Sequence, residues 1–268
     1  MAEIESIIGQ IPYRLALAGG WIDQPFISKF NPHPPGSMVV VAVNPTFRFM
    51  SKCGLGTSTR TIAKQLWDDS LPKEDPQVLM RQLYHHENAN RKDPSGSQDM
   101  AGIVFPGINR LDYDYHFEGG VFPVHVESNV DPQIAIWLEN HIHVLPVNQR
   151  PEGYYPLGIK NLEPHWIVRL AQTGKNCYEA ILSQDAQSLG ETMNETMRCW
   201  KAILPHVTHH PTITMDLMQL HAYYQSRYHG AMFSGCGGGY FYIVSDEPVP
   251  GTFAVSIRTS SLGENADA

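Results

Sequence analysis

The stretch CGLGTSTRTIAKQLW, residues 53–67, changes character in mid-run: a loop of glycines and hydroxyls passes straight into an apolar pattern of helical spacing. Without side chains at Gly54 and Gly56, the backbone can approach a ligand closely and adopt turns closed to other residues. Thr57, Ser58 and Thr59 bring hydroxyls to the point where Ile62, Ala63, Leu66 and Trp67 begin a buried stripe. The first N–H groups of such a helix lack intrahelical acceptors and, with the helix dipole, attract anions, phosphate above all. The same residues also suit an ordinary helix start capped by Thr or Ser. Two familiar glycine loops do not fit. A dinucleotide fingerprint needs a third glycine where Thr59 stands, and a Walker A loop needs a Gly-Lys-Ser/Thr triplet that the chain lacks.

Composition narrows the field. A chain of 268 residues, 42% hydrophobic and 17% charged, buries a substantial core as one large domain or two small ones. A formal net charge of -8 argues against nucleic-acid or membrane partners, while leaving room for a local basic pocket. MAEIESIIGQIPY at the start carries no basic region, and nowhere do eighteen apolar residues run together, so a cytoplasmic location is expected. Cys53, Cys177, Cys199 and Cys236 are scattered without a C-x-x-C pair and read as reduced thiols. Among thirteen histidines, HIH at 141–143 and HVTHH at 206–210 invite a metal reading, but no carboxylate sits at ligand spacing within either cluster. Alternation in HIHVLPV puts His141 and His143 on one face of a strand.

RLALA (14–18) and SMVVVAV (37–43) read as buried strands, followed by the helix after the opening loop and a second helix over 76–90. A polar loop, RKDPSGSQD, then precedes apolar strands through VFPVHVE. From residue 131 longer helices take over, in DPQIAIWLEN, EPHWIVRLAQTGKNCYEAIL and AQSLGETMNETMRCWKAIL, where Met193 and Met197 read as core filler. A helix over 215–225, a glycine cluster, the strand YFYIV and a final strand near TFAVSI complete the pattern, and SLGENADA reads as a solvated tail. The cluster SGCGGGYFYIV (234–244) suits a tight turn into an edge strand, yet its glycine density also suits close backbone approach to a ligand. RLALAGGWIDQP places Arg14 on a strand and Asp23 just past its end, where chemistry is often presented.

In these motifs the sequence resembles the GHMP kinases, the small-molecule kinases named for galactokinase, homoserine kinase, mevalonate kinase and phosphomevalonate kinase. RLALAGGWIDQP resembles the first motif of the heptose 7-phosphate kinase and fucokinase branch; GLGTST is similar to the phosphate loop; GAMFSGCGGGYFYIV is similar to the third motif. GSQDMAGIVFPGINRLDY resembles the segment around the catalytic aspartate. Four motifs stand in the family's order between Arg14 and Val244. The resemblance implies an α+β, two-domain fold, with an N-terminal mixed α/β domain (1–130) and a ferredoxin-like α+β C-terminal domain (131–268).

It also implies roles. Asp99 matches the aspartate that orients or deprotonates the attacking hydroxyl, and Arg14 the basic residue near the transferred phosphoryl group. Gly54, Leu55, Gly56, Thr57, Ser58 and Thr59 match the nucleotide-binding loop. Ser58 and, by spacing alone, Glu87 match the magnesium ligands. Asp23 and Gly20, with Gly237 and Gly238, match substrate-contacting positions, and Gln149 and Arg150 loosely match a segment of the second domain. The implied cofactors are ATP and Mg²⁺, with a sugar or sugar phosphate as acceptor and the assembly left open up to a homodimer.

The chemistry is coherent in its own terms. Phosphoryl transfer needs charge neutralised on the triphosphate, which helix N–H groups and Mg²⁺ supply, and a carboxylate such as Asp99 to position the hydroxyl. One departure stands out: only 24–53 separates the first motif from the phosphate loop, where family members carry strands and a base-gripping loop. Thr59 stands where alanine is common, and Arg60 adds a charge that either assists phosphate binding or faces solvent. The expected activity is therefore ATP-dependent phosphorylation of a sugar hydroxyl. A catalytically impaired, ligand-binding regulator is the alternative, and a His-based metal hydrolase a third.

Overall fold

Strand β2 (Gly36–Val43, GSMVVVAV) is buried at all eight positions, so apolar side chains point out of both faces of the sheet. Such a strand needs cover on both sides. Helices α4 (Gln98–Val104) and α6 (Pro164–Leu182) both pack against it. The computed structural model describes residues 8–260; the expected tail SLGENADA lies outside the described residues.

β1 (Tyr13–Ala18), β2, β3 (Ile108–Tyr113) and β4 (His125–Asn129) form an antiparallel sheet in the order β1-β2-β3-β4. α1 (Pro25–Ser28), α2 (Thr57–Trp67) and α3 (Pro76–Asn88) belong to the same half, with Asp75 capping α3 through a 2.7 Å bond from the Gln77 N–H. A second antiparallel sheet, ordered β5-β7-β6, is built from β5 (Ile142–Pro146), β6 (Gly230–Gly235) and β7 (Gly238–Val244). α5 (Pro132–His141), α7 (Ala186–Ile203), α8 (Pro205–Thr208) and α9 (Leu217–Gln225) complete that half. α6 and α7 pair along their length, and α7 lies on β6 with Met193 and Met197 in the core. No helix among the described residues is long and apolar enough to cross a membrane.

Four expectations are corrected. The segment expected as polar loop and strand turns helical at Gln98, because α4 fits against β1 and β2, where Met100, Ala101, Ile103 and Val104 are buried. YFYIV belongs to the central strand of its sheet, since β5 and the unexpected β6 flank it. His141 ends α5, so it does not share a strand face with His143. TFAVSI makes no strand: its Phe253 bridges to Val144 and its Ile257 to Val43, joining the two sheets by single contacts.

Candidate active site

Strand β1 carries Arg14 to the edge of a cleft of about 330 Å³ lined from both halves of the chain: Arg14, Thr57, Ser58, Gln98 and Asp99 from one, Arg150, Gly235 and Cys236 from the other. Arg14 is 6% exposed. Nε and Nη2 both donate to Asp99 Oδ1, at 2.7 and 2.5 Å. Burial works against its charge, but the neighbouring Asp99 carboxylate outweighs it and raises the pKa further. Among the described residues, Arg14 Nη1 is buried without a partner and Asp99 Oδ2 meets only the Thr59 hydroxyl, at 3.5 Å.

The loop before α2 takes left-handed backbone at Gly54, Leu55 and Gly56 (φ 85°, 59° and 66°), and the Leu55 carbonyl accepts the Arg14 N–H at 3.2 Å. That bond fixes the loop to the strand bearing Arg14. Gly56 is the N-cap and no side chain among the described residues caps α2; the Thr57 N–H is taken by the Gly54 carbonyl at 3.2 Å, and Thr57 and exposed Ser58 bring the start of the helix to the cleft. Arg60 neither faces solvent nor reaches this site. It is buried, donates to the carbonyls of Ile8, Gly9 and Ile11, and stacks 4.2 Å over Tyr13.

Glycine density in the third motif has a packing cause. A Cβ on Gly239 would strike the Cys53 carbonyl, and one on Gly54 would lie 2.5 Å from the Ser234 carbonyl oxygen. The two glycine loops therefore back onto each other. Ser234 Oγ joins them, donating to the Cys53 carbonyl at 2.6 Å and accepting the Tyr240 N–H at 2.9 Å. Gly237 and Gly238, expected at the substrate, lie instead against Tyr154 and Asn148, and Gly235 and Cys236 take the cleft. Gly20 does line the cleft, its carbonyl accepting from Trp200 Nε1 at 2.9 Å. Burial pushes the Cys236 thiol up to about 11.

Glu87, on α3, does not line the cleft. Its carboxylate is buried, Oε1 taking Ser95 Oγ at 2.8 Å and Arg91 at 2.9 Å, while Oε2 has no partner among the described residues. Burial raises its pKa, the nearby Thr59 and Ser95 hydroxyls oppose this, and the Asp99 charge adds to it. Asp23 is fully buried, with Gly96 packed over it, and takes Gln98 Nε2 on Oδ1 at 3.2 Å. Gln98, absent from the sequence-based site, is the residue that reaches the cleft. Arg150, on a loosely matched segment, also arrives there, tethered by Nε to the Lys52 carbonyl at 2.7 Å. Among the described residues no group of three or more His, Cys, Asp or Glu side chains is placed to hold a metal.

No protein-family model matches the chain, and no curated protein matches it in sequence. Solved structures do. A D-glycero-D-manno-heptose 1-phosphate kinase from Bacteriodes thetaiotaomicron is 14% identical, covering 93% of this chain and 96% of its own, with a TM-score of 0.57. Lactococcus lactis galactokinase complexed with galactose is 12% identical over 93% of each chain, TM-score 0.59. L. major mevalonate kinase in complex with R-mevalonate is 12% identical over 94% of this chain and 96% of its own, TM-score 0.56. At these identities the likeness shows the fold alone, an α+β fold shared with these sugar and mevalonate kinases.

Proposed function

We propose that the protein is an ATP-dependent kinase that phosphorylates a hydroxyl of a sugar or sugar phosphate, in a reducing, cytoplasmic setting that suits its four free thiols. The observation that carries this reading is the convergence, in one cleft between 1–130 and 131–268, of the Arg14–Asp99 pair and the uncapped start of α2. The helix start and its loop receive the triphosphate; Asp99 receives the acceptor. The acceptor oxygen forms a bond to the γ-phosphorus, the bond from that phosphorus to its bridging oxygen breaks, and ADP leaves. Asp99 Oδ2 takes the hydroxyl proton, and Arg14, charged and with Nη1 unpaired, faces the transferring group.

Of the two expected magnesium ligands, the exposed Ser58 hydroxyl lines the cleft and is an oxygen donor of the kind this cation accepts beside nucleotide phosphates, whereas Glu87 is buried outside the cleft and does not fit such a site. Bound there, the ion would neutralise phosphate charge.

The test is ADP release with Mg-ATP across aldoses, heptoses and their phosphates. Turnover on one of them is expected. Nucleotide and sugar binding without turnover would instead support the ligand-binding regulator, which the short 24–53 stretch favours, and neither binding nor turnover would overturn both.

A further inference from the structure

The first motif's acid is roofed over. Asp23 has no exposed surface, and a Cβ on Gly96 would collide with its carboxylate, so a substrate cannot touch it without moving that loop. What touches it is Gln98, through the side-chain Nε2 at 3.2 Å and the backbone N–H at 3.5 Å. The other end of the Gln98 amide is turned toward the cleft wall: Oε1 lies 3.9 Å from the Cβ position of Gly20, and accepts no hydrogen bond from the described residues.

Amide oxygen and nitrogen are told apart by their hydrogen-bond partners. An ionised carboxylate only accepts, so it must face the amide NH₂ and leave the carbonyl oxygen pointing away. We propose that Asp23 is a positioning residue, whose buried carboxylate holds the Gln98 amide with Oε1 presented to the cleft as the acceptor for a hydroxyl of an uncharged polyol group on the substrate. The assignment rests on the kinase reading above for the acceptor's identity, but the Asp23–Gln98 coupling can be measured without turnover. It gives Gln98 the direct contact and Asp23 the supporting one.

The coupling has a pH signature. Burial, then the Asp99 charge, raises the Asp23 pKa to about 7, with the backbone N–H groups of Gln98 and Asp23 and then Arg14 opposing. The groups that face Asp23 are Arg14 on β1, Asp99 on α4, and the phenols of Tyr84 on α3 and Tyr113 on β3. Above that pH the carboxylate accepts from Nε2. Below it the protonated acid can donate to Oε1, the amide turns, and the cleft meets a donor in place of an acceptor.

The decisive experiment follows the Gln98 side-chain NH₂ by NMR of the full chain labelled with 15N-glutamine, its signal assigned from Gln98→Ala. The resonance should shift with an inflection near pH 7 in the wild type and hold still in Asp23→Asn. A resonance that ignores pH in the wild type overturns the proposal, even if Asp23→Asn fails to fold; so does one that titrates identically in the variant. A kinetic cycle adds a second readout on whichever acceptor the wild type phosphorylates. At pH 8, Gln98→Ala should raise KM about 5–10-fold, the effect of one lost hydrogen bond, with kcat within about twofold. Adding Asp23→Asn to Gln98→Ala should raise KM no further. If Asp23→Asn costs as much without Gln98 as with it, Asp23 does not act through Gln98. Absence of turnover on every acceptor, with the NMR coupling intact, would instead reject the kinase reading alone.

Discussion

Asp99 is held at one oxygen and nearly bare at the other: Arg14 grips Oδ1 twice, while Oδ2, among the described residues, keeps only the 3.5 Å contact to Thr59. A carboxylate fixed this way retains its geometry when its charge is removed, because an asparagine oxygen still accepts from Arg14. Asp99→Asn should therefore fold normally and lose on the order of 10²-fold or more in kcat; near-native turnover would remove Asp99 from the chemistry. Asp23 has the opposite problem, a carboxyl that the fold prefers protonated. Its pKa rises from 3.8 to about 7, so between those values the folded state keeps a proton that the unfolded state releases, and stability falls as pH rises through that window. A rise of that size corresponds to about 4 kcal/mol at most. Asparagine does not ionise, so Asp23→Asn should gain stability relative to the wild type between pH 4 and pH 8, read from denaturant midpoints; a constant difference between the two proteins would show that Asp23 ionises freely. The sequence displayed both acids, since each stands in a recognisable motif. It did not display their depth, because the roof over Asp23 comes from Gly96, more than seventy residues away.

Among the elements, the start of α2 is held by neighbours more than by its own residues. Leu55 hangs on β1, Gly54 and Cys53 press against the β6–β7 turn, and Ser234 Oγ bonds both sides of that contact. Ser234→Ala leaves a buried carbonyl and a buried N–H short of a partner, at a cost of about 1–3 kcal/mol, and it should lower affinity for the triphosphate along with stability. Thermal unfolding and nucleotide titration check the two effects, and unchanged nucleotide affinity would mean that the turn does not shape the loop. Ser58→Ala should raise the magnesium concentration needed for half-maximal rate without unfolding the protein, and an unchanged magnesium profile would move the ion elsewhere. The glycine motifs made these loops legible, because their spacing survives in the linear chain. α4 was not legible: MAGIV is a short apolar run that suits a strand as well as a helix, and only the surface of β1 and β2 decides between them. Arg60 misled for a related reason, since its three carbonyl acceptors belong to a segment far upstream.

At the level of the whole molecule, the short stretch between RLALAGGWIDQP and GLGTST has a structural counterpart. The chain leaves β2 at Val43 and reaches α2 at Thr57 with no strand between. The flank of β2 where it leaves is taken by residues 253–258: Asn44 N–H bonds the Ser256 carbonyl at 2.8 Å, Arg258 N–H bonds the Ala42 carbonyl at 2.9 Å, and the Arg258 side chain reaches the carbonyls of Ile103 and Val104. Phe47, Phe49, Tyr240 and Phe253 close the same region as a cluster of packed rings. Rings offer a nucleobase stacking but no pattern of donors and acceptors, and stacking does not tell adenine from guanine. Binding energy for the nucleotide should then come chiefly from the phosphates, through helix N–H groups and magnesium. A site that does not hydrogen-bond the base leaves no buried partner unpaired when the wrong one arrives, and that penalty is the usual source of discrimination. ATP and GTP should accordingly be used with kcat/KM values within about tenfold, roughly 1.4 kcal/mol. Competition between the two at fixed magnesium decides it, and a preference for ATP well beyond tenfold would mean that backbone groups near Asn44 and Met50 supply the hydrogen bonds that the rings do not.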